Sequence, residues 1–153
     1  MSGILNIFRF SKTCLKFLCK ILKEECRAIP INSSNIDYLY HVVDKEHVQS
    51  IIDDGYILVQ RHPSDIFAVW GNNSNLSLNE DIKFLYAFKE FPTKDRLAIS
   101  KGDFLDEKVV FKIKYNKEKY KDIYMRKIDE AILVPMNEEK FYLNDLEYSI
   151  KDL

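Results

Sequence analysis

The sequence predicts an α+β domain in which short strands and a few helices occupy separate stretches of the chain. Three observations lead to this prediction. Apolar and β-branched runs of strand length dominate the second half, few helical patterns accompany them, and the four glycines form no phosphate-binding loop of the doubly wound α/β type. A length of 153 residues fits one domain that buries enough surface to fold without disulfides.

The first 27 residues predict a cationic amphipathic helix. Basic residues recur three or four positions apart and therefore form one stripe on a helix, while apolar residues cover most of the remaining circumference. This segment carries a net charge of +4, which leaves −5 for the rest of the chain. The stripe consists of Arg9, Lys12, Lys16, Lys20, Lys23 and Arg27.

Three interpretations of this helix remain open. In the first, its apolar face packs on the domain; in the second, the helix lies in a membrane interface; in the third, it binds a partner protein. The membrane or partner contact would use residues 4–27. The charged stripe argues against a secretory signal and excludes a membrane-spanning helix. The stripe also permits nucleic-acid binding, which the acidic remainder of the chain discourages.

Residues 30–35, with Pro30 and a polar run after it, predict a linker between a helical segment, 1–29, and a single domain, 36–153. The three cysteines, Cys14, Cys19 and Cys26, all fall in the helix and match no zinc pattern. Because no cysteine lies elsewhere to pair with them, we expect a reducing compartment and a cytoplasmic protein, which is peripheral at a membrane if the helix binds there.

The domain opens with a strand, a helix and a second strand. The aromatic and β-branched run 38–43 predicts the first strand, which carries His41 near its end. Asp44 is expected to cap the following helix, and Gly55 suits the left-handed residue that ends it. Tyr56 to Val59 then form another apolar, extended run.

The rest of the domain is predicted to be mostly strands. A long connection at 61–82 precedes a strand at 84–88 and a short helix at 92–99. Alternation of apolar residues and lysines predicts a strand at 109–115, and the apolar run 131–134 predicts another that Pro135 stops. A terminal strand is expected between Phe141 and Ile150.

Three motifs in this order resemble ADP-ribosyltransferase-fold proteins of the His-Tyr-Glu-like type. The strand 39–43 with its histidine, followed by a helix closing on Gly55, resembles the opening of that fold. Residues 85–88 before a helix, and the acidic strand 129–135, resemble two later parts. The resemblance spans residues 38–150 and implies an α+β ADP-ribosyltransferase-like split β-sheet core with an added N-terminal amphipathic helix.

The resemblance implies an NAD-dependent mono-ADP-ribosyltransferase, toxin-like or effector-like, that modifies a protein or nucleic acid. Glu130 would be catalytic and would stabilise the positive charge that develops on the ribose when its bond to nicotinamide breaks. His41 would hold the adenosine-side ribose, and Tyr86 would stack on nicotinamide. Arg61 would contact the pyrophosphate, and Tyr40 completes the NAD-binding set. NAD acts as substrate, and no metal is required.

Each of these roles has an alternative. His41 and Tyr86 also fit buried core residues, and Arg61 also fits a solvated loop. No Ser or Thr adjoins Tyr86, which excludes an Arg-Ser-Glu type of site. The alternative function is a catalytically inactive ADP-ribosyltransferase-like module that acts through the basic helix on a partner protein or a membrane surface. Four other acids could take the role of Glu130, namely Asp129, Glu138, Glu139 and Glu147.

Overall fold

The computed structural model describes residues 28–59, 83–101 and 107–153, without the side chains of 98–101. The predicted N-terminal helix, the connection at 61–82 and Arg61 lie outside these residues. The described part is a mixed α+β fold with nine strands and two α-helices. The strands are β1 (Ala28–Ile31), β2 (Tyr38–Asp44), β3 (Tyr56–Leu58), β4 (Lys83–Ala87), β5 (Lys108–Lys114), β6 (Ile123–Arg126), β7 (Ile132–Met136), β8 (Lys140–Tyr142) and β9 (Tyr148–Asp152). The helices are α1 (Val48–Asp54) and α2 (Lys94–Lys101), and 3-10 turns cover Ser33–Asn35 and Lys45–His47.

The strands form three antiparallel sheets. The largest has the order β1-β6-β7-β4, a second has the order β2-β5-β9, and β3 pairs with β8. The first two sheets meet where Tyr40 of β2 pairs with Phe88, just after β4. The main-chain N–H of each of these two residues donates to the carbonyl of the other at 2.9 Å.

The main core lies on one face of the two larger sheets. Strand alternation directs every second residue of each strand to this face, and these positions are almost all aliphatic or aromatic. Phe111, Ile113 and Ile132 have no measurable exposure. The two-stranded sheet closes the same core with Ile57 and Phe141, so all three sheets share one hydrophobic centre.

Within the described residues, the predicted strands and helices are present with shifted ends, except that the single strand expected between Phe141 and Ile150 is two strands, β8 and β9. Strands β1 and β6 were not expected from the sequence. Pro30 lies within β1, and Ser33–Asn35 form a turn whose Asn32 side chain accepts from the Ser34 amide, so residues 30–35 belong to the fold rather than to a linker. The prediction that Pro135 stops a strand is wrong, since it lies inside β7. The β6 ladder ends at Leu133, so proline removes no amide needed there.

The helix α1 ends as predicted but begins differently. Gly55 has φ of 73° and its amide donates to the Ile51 carbonyl, which is the left-handed helix end expected of glycine. Asp44 forms no capping hydrogen bond. Its carboxylate instead accepts from the Lys108 ammonium on β5, which ties the end of β2 to its neighbour. Among the described residues, no helix has the length and apolar character to cross a membrane.

Candidate functional site

Three predicted site residues, Tyr40, His41 and Tyr86, lie on the strands that meet at the seam between the two larger sheets. Beyond the Tyr40–Phe88 bridge, the Nδ1 atom of His41 lies 2.6 Å from the main-chain oxygen of Tyr86. A carbonyl only accepts hydrogen bonds, so Nδ1 carries the proton, and in a neutral imidazole Nε2 is then the acceptor nitrogen. His41 therefore helps to hold β2 against β4 at this seam.

The two aromatic residues of the predicted site flank a small apolar cluster on the outer face of the seam. Tyr40 and Tyr86 are half-buried, and both pack against it. The cluster draws on β2, β5 and α2 and on the residues just after β4 and just before β7, so its position depends on both sheets. It consists of Val42, Phe88, Leu97, Val110 and Ala131.

The predicted catalytic acid lies at the edge of this cluster. Glu130 directly precedes Ala131, in the connection between β6 and β7, and its φ of 56° is the one positive value recorded for a non-glycine residue in the described chain. Its side chain is 48% exposed. The Nη2 atom of Arg96, on α2, lies 3.1 Å from its Oε2 atom, so the carboxylate is ion-paired at the surface.

A buried ion pair fixes the connection that carries Glu130. Asp129 is 2% exposed and accepts from Nε of Arg126 at 3.0 Å, and its second oxygen accepts from Nη2. The same carboxylate accepts from the Ala131 amide at 3.1 Å. Because Asp129 bonds on both sides of Glu130, it holds the unusual backbone conformation between them.

Arg126 also connects this ion pair to Tyr86. Its guanidinium carbon lies 5.4 Å from the centre of the Tyr86 ring, within the range of a cation–π contact. The Tyr86 hydroxyl is buried and finds no hydrogen-bond partner in the part of the chain that the structure describes. A buried hydroxyl in that condition is costly, which is a feature of sites that complete their hydrogen bonds with a ligand.

The structure thus groups some of the predicted residues and separates another. Tyr40, Tyr86 and Glu130 border one cluster, and we call them, with Arg96, the seam site. Strand alternation puts His41 on the opposite face of β2 from Tyr40, so its ring reaches the seam from the core side and meets the backbone, not the phenol, of Tyr86.

The other acids considered at the position of Glu130 have different environments. Asp129 is buried against Arg126, and Glu139 accepts from the Lys83 ammonium. That contact is the main cause that lowers the pKa of Glu139 below its ordinary value. Glu138 and Glu147 are exposed and lie at other ends of the sheets.

Sequence reasoning did not single out Arg96, Arg126 or the structural role of Asp129. Arg96 lies one residue before the buried Leu97, which α2 inserts into the cluster, so only the packing of that helix reveals its contact with Glu130. Arg126 and Asp129 stand three apart around a tight connection, a spacing that gives a signal only once β6 has been identified.

One group in the described residues has metal-ligand chemistry, namely Asp44, Glu46 and His47, whose ligand atoms lie within 4.8 Å of one another. Asp44 already binds Lys108, and Glu46 and His47 are exposed neighbours in one 3-10 turn. Because the Lys108 ammonium already neutralises Asp44, we assign no metal to this group.

Comparison with known proteins does not identify this chain: no family model matches the sequence, and no curated protein or solved structure matches it.

Proposed function

We propose that the chain is an NAD-dependent mono-ADP-ribosyltransferase whose reaction centre is the seam site. The observation that carries the proposal is Glu130, an exposed carboxylate in a left-handed backbone conformation that directly precedes Ala131, a member of the cluster against which Tyr40 and Tyr86 pack. Strained conformations persist where the surroundings enforce them, and they concentrate at functional sites. Here the enforcing contacts are those of Asp129.

The proposed reaction breaks the bond between the nicotinamide nitrogen and C1 of the adjacent ribose. Nicotinamide leaves with the bonding electron pair, and positive charge develops on the sugar. Glu130 stabilises that charge and accepts a hydrogen bond from a ribose hydroxyl. A nucleophilic oxygen or nitrogen of the acceptor then bonds to C1 and loses its proton, which yields the ADP-ribosylated product.

The neighbouring residues supply binding in this proposal. Tyr40 and Tyr86 offer aromatic surface for nicotinamide at the cluster. The Nδ1 proton of His41 is donated to the Tyr86 carbonyl, so Nε2 carries no proton and accepts a hydrogen bond from a ribose hydroxyl. Because the His41 ring lies on the core side of the seam, this contact would come from that side. Arg96 is a second candidate, beside Arg61, for the pyrophosphate, because a guanidinium binds phosphate oxygens as it binds Glu130.

The test is incubation of the full chain with NAD labelled in the adenylate half, in a cell lysate. We expect label in a macromolecule with the wild-type chain and its loss, by at least a hundredfold in rate, in Glu130→Gln. Glu118→Gln removes an exposed acid in the connection between β5 and β6 and serves as the matched control. Equal rates for wild type and Glu130→Gln would contradict the proposal.

One observation favours the inactive module as a second candidate. The Glu130 carboxylate is engaged by Arg96, and Tyr86 keeps its hydroxyl buried, an arrangement that a structural role also explains. That module would act on a partner protein or membrane through the basic helix. It predicts no NAD turnover by the folded chain and loss of its cellular effect in Lys12→Glu/Lys16→Glu, with no effect of Glu130→Gln.

A further inference from the structure

The outer face of the β2-β5-β9 sheet carries an ordered set of polar and aromatic side chains. Alternation and register place Tyr38 opposite Lys114, and Tyr40 opposite Lys112, on this face. At the end nearer Asp44, Val42 and Val110 belong to the apolar cluster of the seam. The remaining part, which we call the platform, consists of Tyr38, Tyr40, Lys112, Lys114, Ser149 and Lys151.

The platform is positively charged. It holds three lysines, and its edge also carries the exposed carboxylate of Glu147, which lies just before β9 and opposite Lys114, so the lysines outnumber this acid. The two acids of these strands are accounted for: Asp44, at the covered end, binds Lys108, and Asp152 alternates to the opposite face of β9. Asp37, just before β2, is ion-paired with Lys117. The local charge is therefore opposite in sign to the acidic balance of the rest of the domain.

The platform lysines lie over aromatic rings. The Nζ atoms of Lys112 and Lys114 are 4.2 Å and 4.9 Å from the centre of the Tyr38 ring. Lys151 is 5.1 Å from the ring of Phe91, which meets the Tyr40 ring edge to face at 6.2 Å. Phe91 is 38% exposed. Lysine ammonium groups and aromatic rings thus lie next to one another along the surface from Tyr38 to Phe91.

We propose that the platform binds single-stranded nucleic acid. Unpaired bases stack on aromatic side chains while lysines bind the phosphates, and a sheet face with two or three rings is a known geometry for this. Tyr38 and Tyr40 are two residues apart on one strand, about 6.6 Å, which suits successive splayed bases once Lys112 and Lys114 leave the Tyr38 ring for the phosphates. A duplex keeps its base faces stacked, and an acidic peptide has none, so neither uses the rings.

The platform ends at the seam site. Tyr40 belongs to both, since it pairs with Lys112 across the sheet and packs against the cluster beside Ala131. A strand bound on the platform would therefore lead toward Glu130. If the proposed function holds, that strand is the acceptor of ADP-ribose, and this second step rests on the proposed function whereas the binding itself does not.

The test is fluorescence anisotropy of the full chain with a labelled 15-nucleotide oligodeoxythymidylate. We expect Lys112→Glu/Lys114→Glu to weaken binding by at least tenfold and to lower the salt dependence by about two phosphate contacts. Tyr38→Leu should weaken it by roughly tenfold through lost stacking. Lys119→Glu/Lys121→Glu, which makes the same charge change in the loop after β5, should leave the affinity nearly unaltered.

Four outcomes would overturn the proposal. They are unchanged binding in the Lys112/Lys114 variant, loss of binding only in Lys12→Glu/Lys16→Glu, equal competition by a duplex of the same length, and polyglutamate binding that survives Tyr38→Leu. The last would indicate a protein-binding surface. The binding assay contains no NAD and the turnover assay of the proposed function contains no oligonucleotide, so failure of catalysis and failure of binding remain distinguishable. Circular dichroism melts confirm that each variant is folded.

Discussion

At the scale of single residues, Glu130 combines an exposed charge with a backbone conformation that disfavours it. A side chain in the left-handed region costs about 1 kcal/mol, and only glycine avoids this. Glu130→Ala and Glu130→Gly both remove the ion pair with Arg96. We expect the glycine variant to be the more stable of the two by roughly 0.5–1 kcal/mol, measured by urea unfolding. A more stable alanine variant would show that Glu130 is not held at positive φ in solution.

The buried pair of Arg126 and Asp129 predicts a much larger effect than the exposed pair of Arg96 and Glu130. Asp129→Ala removes the carboxylate that pairs with the Arg126 guanidinium and that accepts from the Ala131 amide. We expect a loss of about 3–5 kcal/mol in the free energy of unfolding, against at most about 1 kcal/mol for Arg96→Ala. Similar losses in both variants would contradict the assigned difference in burial.

Asp129→Asn separates the charge of this residue from its hydrogen bonds. Its amide oxygen still accepts from the Ala131 amide, while the negative charge opposite Arg126 is gone. If Asp129 positions Glu130, this variant should keep the Michaelis constant for NAD and lower the turnover number about tenfold or more. A higher Michaelis constant together with a lower turnover number and reduced stability would instead indicate a purely structural role.

Tyr115 gives the domain a predicted sensitivity to alkaline pH. Burial raises the pKa of its phenol, and its hydroxyl donates to the Tyr120 carbonyl. Because the folded pKa exceeds the unfolded one, this stabilisation is complete below about pH 10 and is lost as pH rises through the folded pKa. Tyr115→Phe should cost about 0.5–1.5 kcal/mol at pH 7, and its deficit should shrink at pH 10.5. Tyr142→Phe, at an exposed site, is the control, and a constant deficit would be the contrary result.

At the scale of elements, the end of α1 is the most sharply specified feature. Gly55 has φ of 73°, and its amide forms the last hydrogen bond of the helix. Its carbonyl accepts from the amide of Leu143, which directly follows β8, so the end of α1 is joined to that strand. A β-carbon there would lie 2.3 Å from Oδ1 of Asn144. We expect Gly55→Ala to cost about 1–2 kcal/mol in urea unfolding, and Asn144→Ala to recover only the steric part. A neutral Gly55→Ala would contradict the left-handed geometry.

Elements with a strong local signal were the ones that sequence alone could predict. The alternation in β5 and the glycine after α1 are dictated by neighbouring residues, and both are confirmed. Strands β1 and β6 pair with each other and are short, and β1 contains a proline, so their stability comes from the sheet and leaves little local pattern. Asp44 illustrates the same limit, since its partner Lys108 is 64 residues away in the chain.

At the scale of the whole molecule, the mixed α+β class follows from the sequence, while the seam depends on long-range pairing. Tyr40, Tyr86 and Glu130 come from three separate segments, and only the order of strands places them around one cluster. Their chemistry was predictable from residue type. Strand alternation also predicts that the His41 side chain faces the core side, but it does not predict the hydrogen bond to the Tyr86 carbonyl. Contacts made by Arg96 and Arg126 required the packed fold.

The single bridge at Tyr40 and Phe88 has a consequence for slow motions. Within the described residues, the β1-β6-β7-β4 and β2-β5-β9 sheets exchange main-chain hydrogen bonds at this bridge, whereas neighbouring strands inside each sheet are joined by a ladder of several hydrogen bonds. Such units open with separate free energies. Deuterium should therefore replace the amide protons of Tyr40 and Phe88 sooner than those of Phe111 or Leu133, and, if the proposed function holds, bound NAD should slow the exchange of those two amides.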